Sequence, residues 1–198
     1  MRRRRRFLVV GLLTLVAASA GSVTWAAFTA TTQNDGSQVQ AGSVSLGDND
    51  NDASMMSMSG GIPGTTRNGC IKVTYNGSLP SSVRLYGTTA GTGLDQYLDL
   101  RVTRGTFSAP EPAFASCTNF QADGTDYIGA GQGVIYNGTL QAFPDTYATG
   151  IVDPVSGSPE SWTSGEVHVY RFDVTVQSNI NGEGLTAMQE FAWEARNQ

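Results

Sequence analysis

Histidine is nearly missing from this chain. His168 is the only one in 198 residues, so a helical H-E-x-x-H zinc motif cannot be written. It sits between Val167 and Val169 in a strand-like run, where a structural or exposed histidine is expected. No G-x-S-x-G elbow occurs either. The Gly-rich stretch Gly129 to Gly138 lacks both a G-K-[ST] ending and a following helix, which argues against a phosphate loop. Carboxylates such as Glu111 and Asp123 have nothing in the sequence to bring them face to face. No catalytic constellation emerges, so a non-enzyme without a cofactor is expected.

Basic residues are scarce outside the N-terminus. Of 12 Lys and Arg residues, five are Arg2 to Arg6. They precede the apolar run Phe7 to Ala20, the n-region and h-region of a secretory leader. The rival reading is a retained signal-anchor, since the segment counted to Ala27 just reaches bilayer length. No cysteine follows the h-region and no hydrophobic tail closes the chain, so lipid and GPI-type anchors are not indicated. Cleavage leaves seven basic residues against 17 acidic ones. An acidic product of this kind repels nucleic acid. The expectation is an exported protein with no membrane span after cleavage.

Helical periodicity is almost absent beyond the leader. Short alternating runs separated by Gly, Pro, Asn and Asp recur instead, the pattern of an all-β sandwich or barrel. Strands are expected at Ser37 to Leu46, Cys70 to Tyr75, Ser82 to Gly87, Tyr97 to Thr103, Glu166 to Gln177 and Leu185 to Ala195. Two more are expected near Gly133 to Tyr136 and Thr139 to Phe143, in an otherwise Gly- and Pro-rich stretch. A short helix fits Gly93 to Leu98. Asp48 to Gly64 reads as a mobile loop.

Cysteine is limited to Cys70 and Cys117. Export places them in an oxidising compartment, where one intrachain pairing exists; the alternative is two unlinked buried thiols. Asp48, Asp50 and Asp52 begin like an EF-hand loop, but position six is Ala53 and position twelve is Ser59. These three are the candidates for opportunistic Ca²⁺ binding, a solvated turn is the favoured reading, and no metal is expected.

Five segments in order resemble the TasA/camelysin family of exported β-sandwich proteins of Gram-positive bacteria. They are "TWAAF" (Thr24 to Phe28), "AGSVSL" (Ala41 to Leu46), "IKVTYNGSLPSSVRL" (Ile71 to Leu85), "DQYLDLRVT" (Asp95 to Thr103) and "EFAWEARNQ" (Glu190 to Gln198). The resemblance does not cover Ala109 to Ile151. It implies a jelly-roll-like antiparallel β-sandwich with one or two short helices, preceded by a signal peptide. Its best-known members form extracellular biofilm-matrix fibres, each subunit donating its mature N-terminal strand to the next. Carried over, a dedicated signal peptidase cuts between Ala27 and Phe28, although general small-residue rules favour a cut after Ala26. The donor is then Phe28, Thr29, Ala30, Thr31 and Thr32. The domains become a signal peptide over 1–27, an N-terminal extension over 28–36 and a sandwich over 37–198. The partner is a second copy or a related fibre subunit, outside the cell or at its surface. A monomeric surface adhesin is the alternative. Some family members are classified as metallopeptidases, a role for which this sequence carries no motif. The cysteine pair is also foreign to the pattern of the best-known matrix member.

Overall fold

The computed structural model describes residues 29–31, 43–153, 160–178 and 180–197. They are almost entirely antiparallel β-structure in two sheets. One sheet runs in the order β1 (Thr29–Thr31), β10 (Ala187–Asn197), β4 (Ser81–Gly91), β8 (Ile151–Val152). The other runs β2 (Leu46–Asp48), β3 (Thr66–Tyr75), β9 (Val167–Val176), β5 (Leu98–Phe107), β6 (Phe120–Ala122), with β7 (Val134–Thr139) also paired to β5. Single 3₁₀ turns lie at Leu94–Tyr97 and Ile180–Gly182. Among the described residues no helix is long and apolar enough to cross a membrane.

Alternation builds the core. Ile71, Val73 and Tyr75 of β3, Leu98, Leu100 and Val102 of β5, and Tyr170, Phe172 and Val174 of β9 all turn inward. Val83 and Leu85 of β4 meet them from the other sheet, together with Trp193 and Ala195 of β10. Side-chain period two therefore places both inner faces in one cluster. Phe191 packs on Phe172 with ring centroids 4.2 Å apart and edge-on to Phe143 at 5.4 Å.

The strands at Cys70, Ser82, Tyr97 and Leu185 form, each longer or shifted by a few residues, and the one at Glu166 forms one residue shorter at each end. Three expectations change. Of the run Ser37 to Leu46, residues 37–42 lie outside the described residues, and the strand starts only at Leu46. Ahead of it the Ser43 and Ser45 carbonyls accept from the N–H groups of Ser78 and Asn76, an irregular edge rather than a ladder. Thr139 to Phe143 is a pair of successive turns, closed by Ala142 N–H to Thr139 and Phe143 N–H to Leu140. Its apolar spacing of three puts Leu140 and Phe143 into the core, which a strand cannot do. The stretch after Ala109 also holds two short strands, β6 and β8, that no sequence pattern announced.

The segment after Asp48 carries neither helix nor strand up to Thr65, yet it is tied to the sandwich. Asn49 Oδ1 accepts from Lys72 N–H at 2.9 Å, and Met55 and Met56 pack against the core. Met55 crosses Gly69 so closely that a Cβ there would stand 2.5 Å from its Cγ and 2.9 Å from its backbone oxygen. Gly69 is the residue that admits this crossing.

Cys70 and Cys117 form a disulfide with Cα atoms 5.2 Å apart. Cys70 is buried on β3, and its N–H bonds the Ala115 carbonyl, so the bridge pins the 108–119 connection onto the outer face of the sheet. Closing 47 residues of separation stabilises by about 4 kcal/mol in the chain-entropy account. Reduction is expected to lower the urea midpoint accordingly. A mass spectrum with two free thiols in the native protein would refute the bridge.

Candidate functional site

The inward parity of β5 and β9 does not stop at their apolar residues. Continuing Leu98, Leu100, Val102 brings Arg104 inward, and continuing Val174, Phe172, Tyr170 brings His168 inward. Arg104 faces Tyr170 across the ladder, and its side chain is 7% exposed. A guanidinium at a core position needs partners for all five N–H groups. Nε lies 2.9 Å from Asp153 Oδ1 as an ion pair, without hydrogen-bond geometry. Nη1 donates to Asp123 Oδ2 at 2.6 Å and to the Tyr127 hydroxyl at 3.1 Å. Nη2 lies 2.7 Å from Glu160 Oε2 and 2.9 Å from His168 Nε2. Both Nη nitrogens are hydrogen-bonded, and Nε is held to Asp153 by charge alone.

Each acceptor is held in turn. Asp153, at the end of β8, is 1% exposed and also accepts from the Tyr170 hydroxyl. Burial pushes its carboxyl above the usual range, against the pull of Arg104 and Tyr170. Burial opposes the charge on Arg104, but Asp153 and Asp123 overcome it and its pKa lies above the ordinary value. Burial and Asp153 likewise hold the Tyr170 hydroxyl well above its normal range. Tyr127 donates to Asp123 at 2.9 Å. Glu166 lies 2.9 Å from His168 Nε2 through its Oε1 and accepts from Thr163 N–H through Oε2. Trp162, fully buried, stands edge-on to the His168 ring with centroids 4.5 Å apart.

His168 is therefore structural in its surroundings and half-buried. Among the described residues, Glu160, Glu166 and His168 are the only three whose ligand atoms all come within 4.8 Å of one another. Asp48 and Asp50 spend carboxylate oxygens on their own turn: Asp48 Oδ1 accepts from Asp50 N–H and Asp50 Oδ1 from Asp52 N–H. Glu111 pairs with Lys72 and Asp123 with Arg104, in separate places. Sequence reasoning missed Arg104, Asp153 and Glu160. An arginine in phase with Leu98, Leu100 and Val102 was the available signal for the first.

The residues of the N-terminal expectation are only partly in view. Ala26, Ala27, Phe28 and Thr32 lie outside the described residues. The backbone of Thr29, Ala30 and Thr31 is β1, paired antiparallel to β10 with Thr29 opposite Arg196, Ala30 opposite Ala195 and Thr31 opposite Glu194. Beyond Glu194, from Trp193 back to Ala187, β10 has β4 on one side and no described strand on the other. This open edge faces a trough of roughly 1820 Å³ between the two sheets. All of Ala187 to Trp193 lines it, together with Met55, Met56, Met58 and Ile62.

No family model matches the chain, and no curated protein is a significant match to it.

Replacing Arg104 by Met, which keeps the bulk, strands Asp153 as an unpaired buried carboxylate. The expected cost is about 3–5 kcal/mol by urea denaturation. Adding Asp153→Asn is expected to recover part of it; equal and independent losses would show the pair uncoupled. A second outcome concerns alkaline pH. Burial and the Glu194 carboxylate, bonded at 2.8 Å, push the Tyr86 hydroxyl up to about 12. The fold keeps this proton where the unfolded chain loses it, so stability falls as pH rises from about 10 towards 12. Tyr86→Phe is expected to make that fall shallower, measured as urea midpoints across the range.

Proposed function

We propose that this protein is an exported structural subunit that forms, or joins, extracellular fibres by giving its N-terminal strand to the next copy. It is then a jelly-roll-like sandwich released by a signal peptidase that cuts before Phe28. The observation that supports the reading is the seat of β1. A three-residue strand lies at the edge of its sheet among the described strands, where it pairs with β10 alone, and the same ladder can be made between chains. Exchange of an identical element costs little, because every hydrogen bond lost within the chain is regained from the neighbour. A head-to-tail exchange does not close on itself, so it gives filaments.

The rest of β10 supports the same reading. Seven residues of edge that no described strand pairs are a template for an extended segment. The trough beside them supplies room for its side chains, and the methionines that line it adapt their shape to what enters. No turnover is required of the protein in this role, and the Arg104 cluster is the locked end of the scaffold rather than an active centre.

Register gives the test. Ala30 and Ala195 are Cα partners, so Ala30→Cys with Ala195→Cys places a cross-link across the joint. In protein beginning at Phe28, oxidation of assembled material is expected to give a ladder of covalent multimers on a denaturing gel. Deleting Phe28 to Thr32 is expected to abolish filaments in negative-stain images. Cross-linking confined to single chains, with both proteins monomeric, would sink strand donation and favour the monomeric adhesin.

A further inference from the structure

We propose that Met55, Met56 and Met58 are the oxidation site of a clasp: a peroxide converts their thioethers to sulfoxides, and residues 50–63 then come away from the sandwich. The inference does not rest on strand donation.

Burial is the first argument. From Asn51 to Gly64 every residue is exposed except these three methionines, which are half-buried. Hydrogen bonding is the second. The segment is tied at its ends, where Asn49 Oδ1 accepts from Lys72 N–H at 2.9 Å and Gly64 N–H donates to the Val176 carbonyl at 2.8 Å. The bonds described for residues 50–63 stay within 48–65: Ala53 N–H to the Asp50 carbonyl, Ser54 Oγ–H to the Met56 carbonyl, Ile62 N–H to Thr65 Oγ1. Between the two ties, thioether packing holds the strap down, with Met55 and Met56 set against the core. All of Asp50 to Met58 lines the trough, so release of the strap removes that part of the lining.

The seat of Met55 is the third argument. Gly69 shares the inward parity of Ile71, Val73 and Tyr75 on β3, and a Cβ on it would stand 3.3 Å from Met55 Sδ. The sulfur thus lies over the inner face of a sheet whose ladder N–H groups point sideways to neighbouring strands. An oxygen added there gives up water without gaining a donor from the ladder. Met58 is seated at the end of β9, where a Cβ on Gly61 would stand 2.6 Å from its Sδ and 3.2 Å from Val176 Cγ2. In the reaction the sulfur lone pair attacks one oxygen of hydrogen peroxide, the O–O bond breaks and an S–O bond forms. Sulfur is oxidised by two electrons, and the proton of the attacked oxygen passes to the departing hydroxide, giving water. Thiol-dependent reduction of the sulfoxide reverses the step. Met188, 71% exposed, has no such seat, so its oxidation changes nothing in the fold.

Purified protein treated with hydrogen peroxide is mapped for sulfoxides by peptide mass spectrometry, and subtilisin cleavage is timed under native conditions. Sulfoxides at Met55, Met56 and Met58 are expected to speed cleavage within 50–63 roughly tenfold, since cleavage tracks the open population. Methionine sulfoxide reductases for both epimers are expected to restore the slow rate. Combined Met55→Leu, Met56→Leu and Met58→Leu keeps the volume without an oxidisable sulfur, and is expected to hold the slow rate in peroxide. Met188→Leu is expected to leave the acceleration intact. Unchanged cleavage with all three sulfurs oxidised would overturn the clasp. So would sulfurs that resist peroxide while Met188 is fully oxidised, or acceleration that persists in the triple variant. A rate that the reductases leave high would mean damage elsewhere and count against it equally; this arm uses the unaltered sequence and stands if the triple variant does not fold.

Discussion

The buried guanidinium of Arg104 is the constraint around which the rest of this sandwich is arranged. A charge at a core position is tolerable only when its desolvation is offset by close, well-directed partners. Here those partners come from four places in the chain: Asp123 after β6, Asp153 after β8, Glu160 beyond it, and His168 on β9. Segments without periodicity of their own are thereby given fixed positions. Trp162 and Tyr127 fill the gaps that the ion pairs leave. The short strand β8, two residues long, is held less by its ladder to Arg84 and Leu85 than by Asp153 at its end.

This arrangement gives the sandwich two unlike ends. Along β5 the six-residue step from Leu98 to Arg104 spans about 20 Å. At the Arg104 end, a buried guanidinium is ringed by ion-paired carboxylates. Leu98, opposite Val176 in the ladder, lines the trough together with methionines and aromatic residues such as Tyr97 and Phe191. One end is specified by directional bonds with narrow tolerances. The other is apolar and adaptable, where a contact succeeds by area rather than by geometry.

The strands were readable because half-buried antiparallel sheets impose period two. Ile71-Val73-Tyr75 and Leu98-Leu100-Val102 carry that period without interruption. What could not be read is pairing at a distance. Nothing in "AFPDTYATGIVDP" announces a strand, and Asp153 gains its meaning only from an arginine 49 positions earlier. Turns that mimic strands misled in the opposite way: Leu140 and Phe143 are apolar because two turns aim them inward, not because a ladder does. Arg104 shows how the two kinds of information join. Its parity was legible, but the acceptors that permit an arginine at that parity were not.

The seat of β1 lies at the rigid end. Thr31 is opposite Glu194, Glu194 opposite Arg84, and Arg84 opposite Val152, the residue before Asp153. Four strands thus step from the N-terminal segment directly to the Arg104 network. Glu194 is itself buried and bonded to both Tyr86 and Arg196, which fixes the stretch of β10 that receives Thr29 to Thr31. Register matters most for a strand that changes owner, because a slip of one residue turns every side chain to the wrong face. On the proposed strand exchange, placing the receiving residues against a braced part of the sheet gives an incoming strand one register to adopt. On the same proposal, the edge from Ala187 to Trp193, which no described strand pairs, lets the remainder of the contact settle after the register is set. On this reading the buried arginine is far from any chemistry of assembly, and yet it is what makes the joint specific.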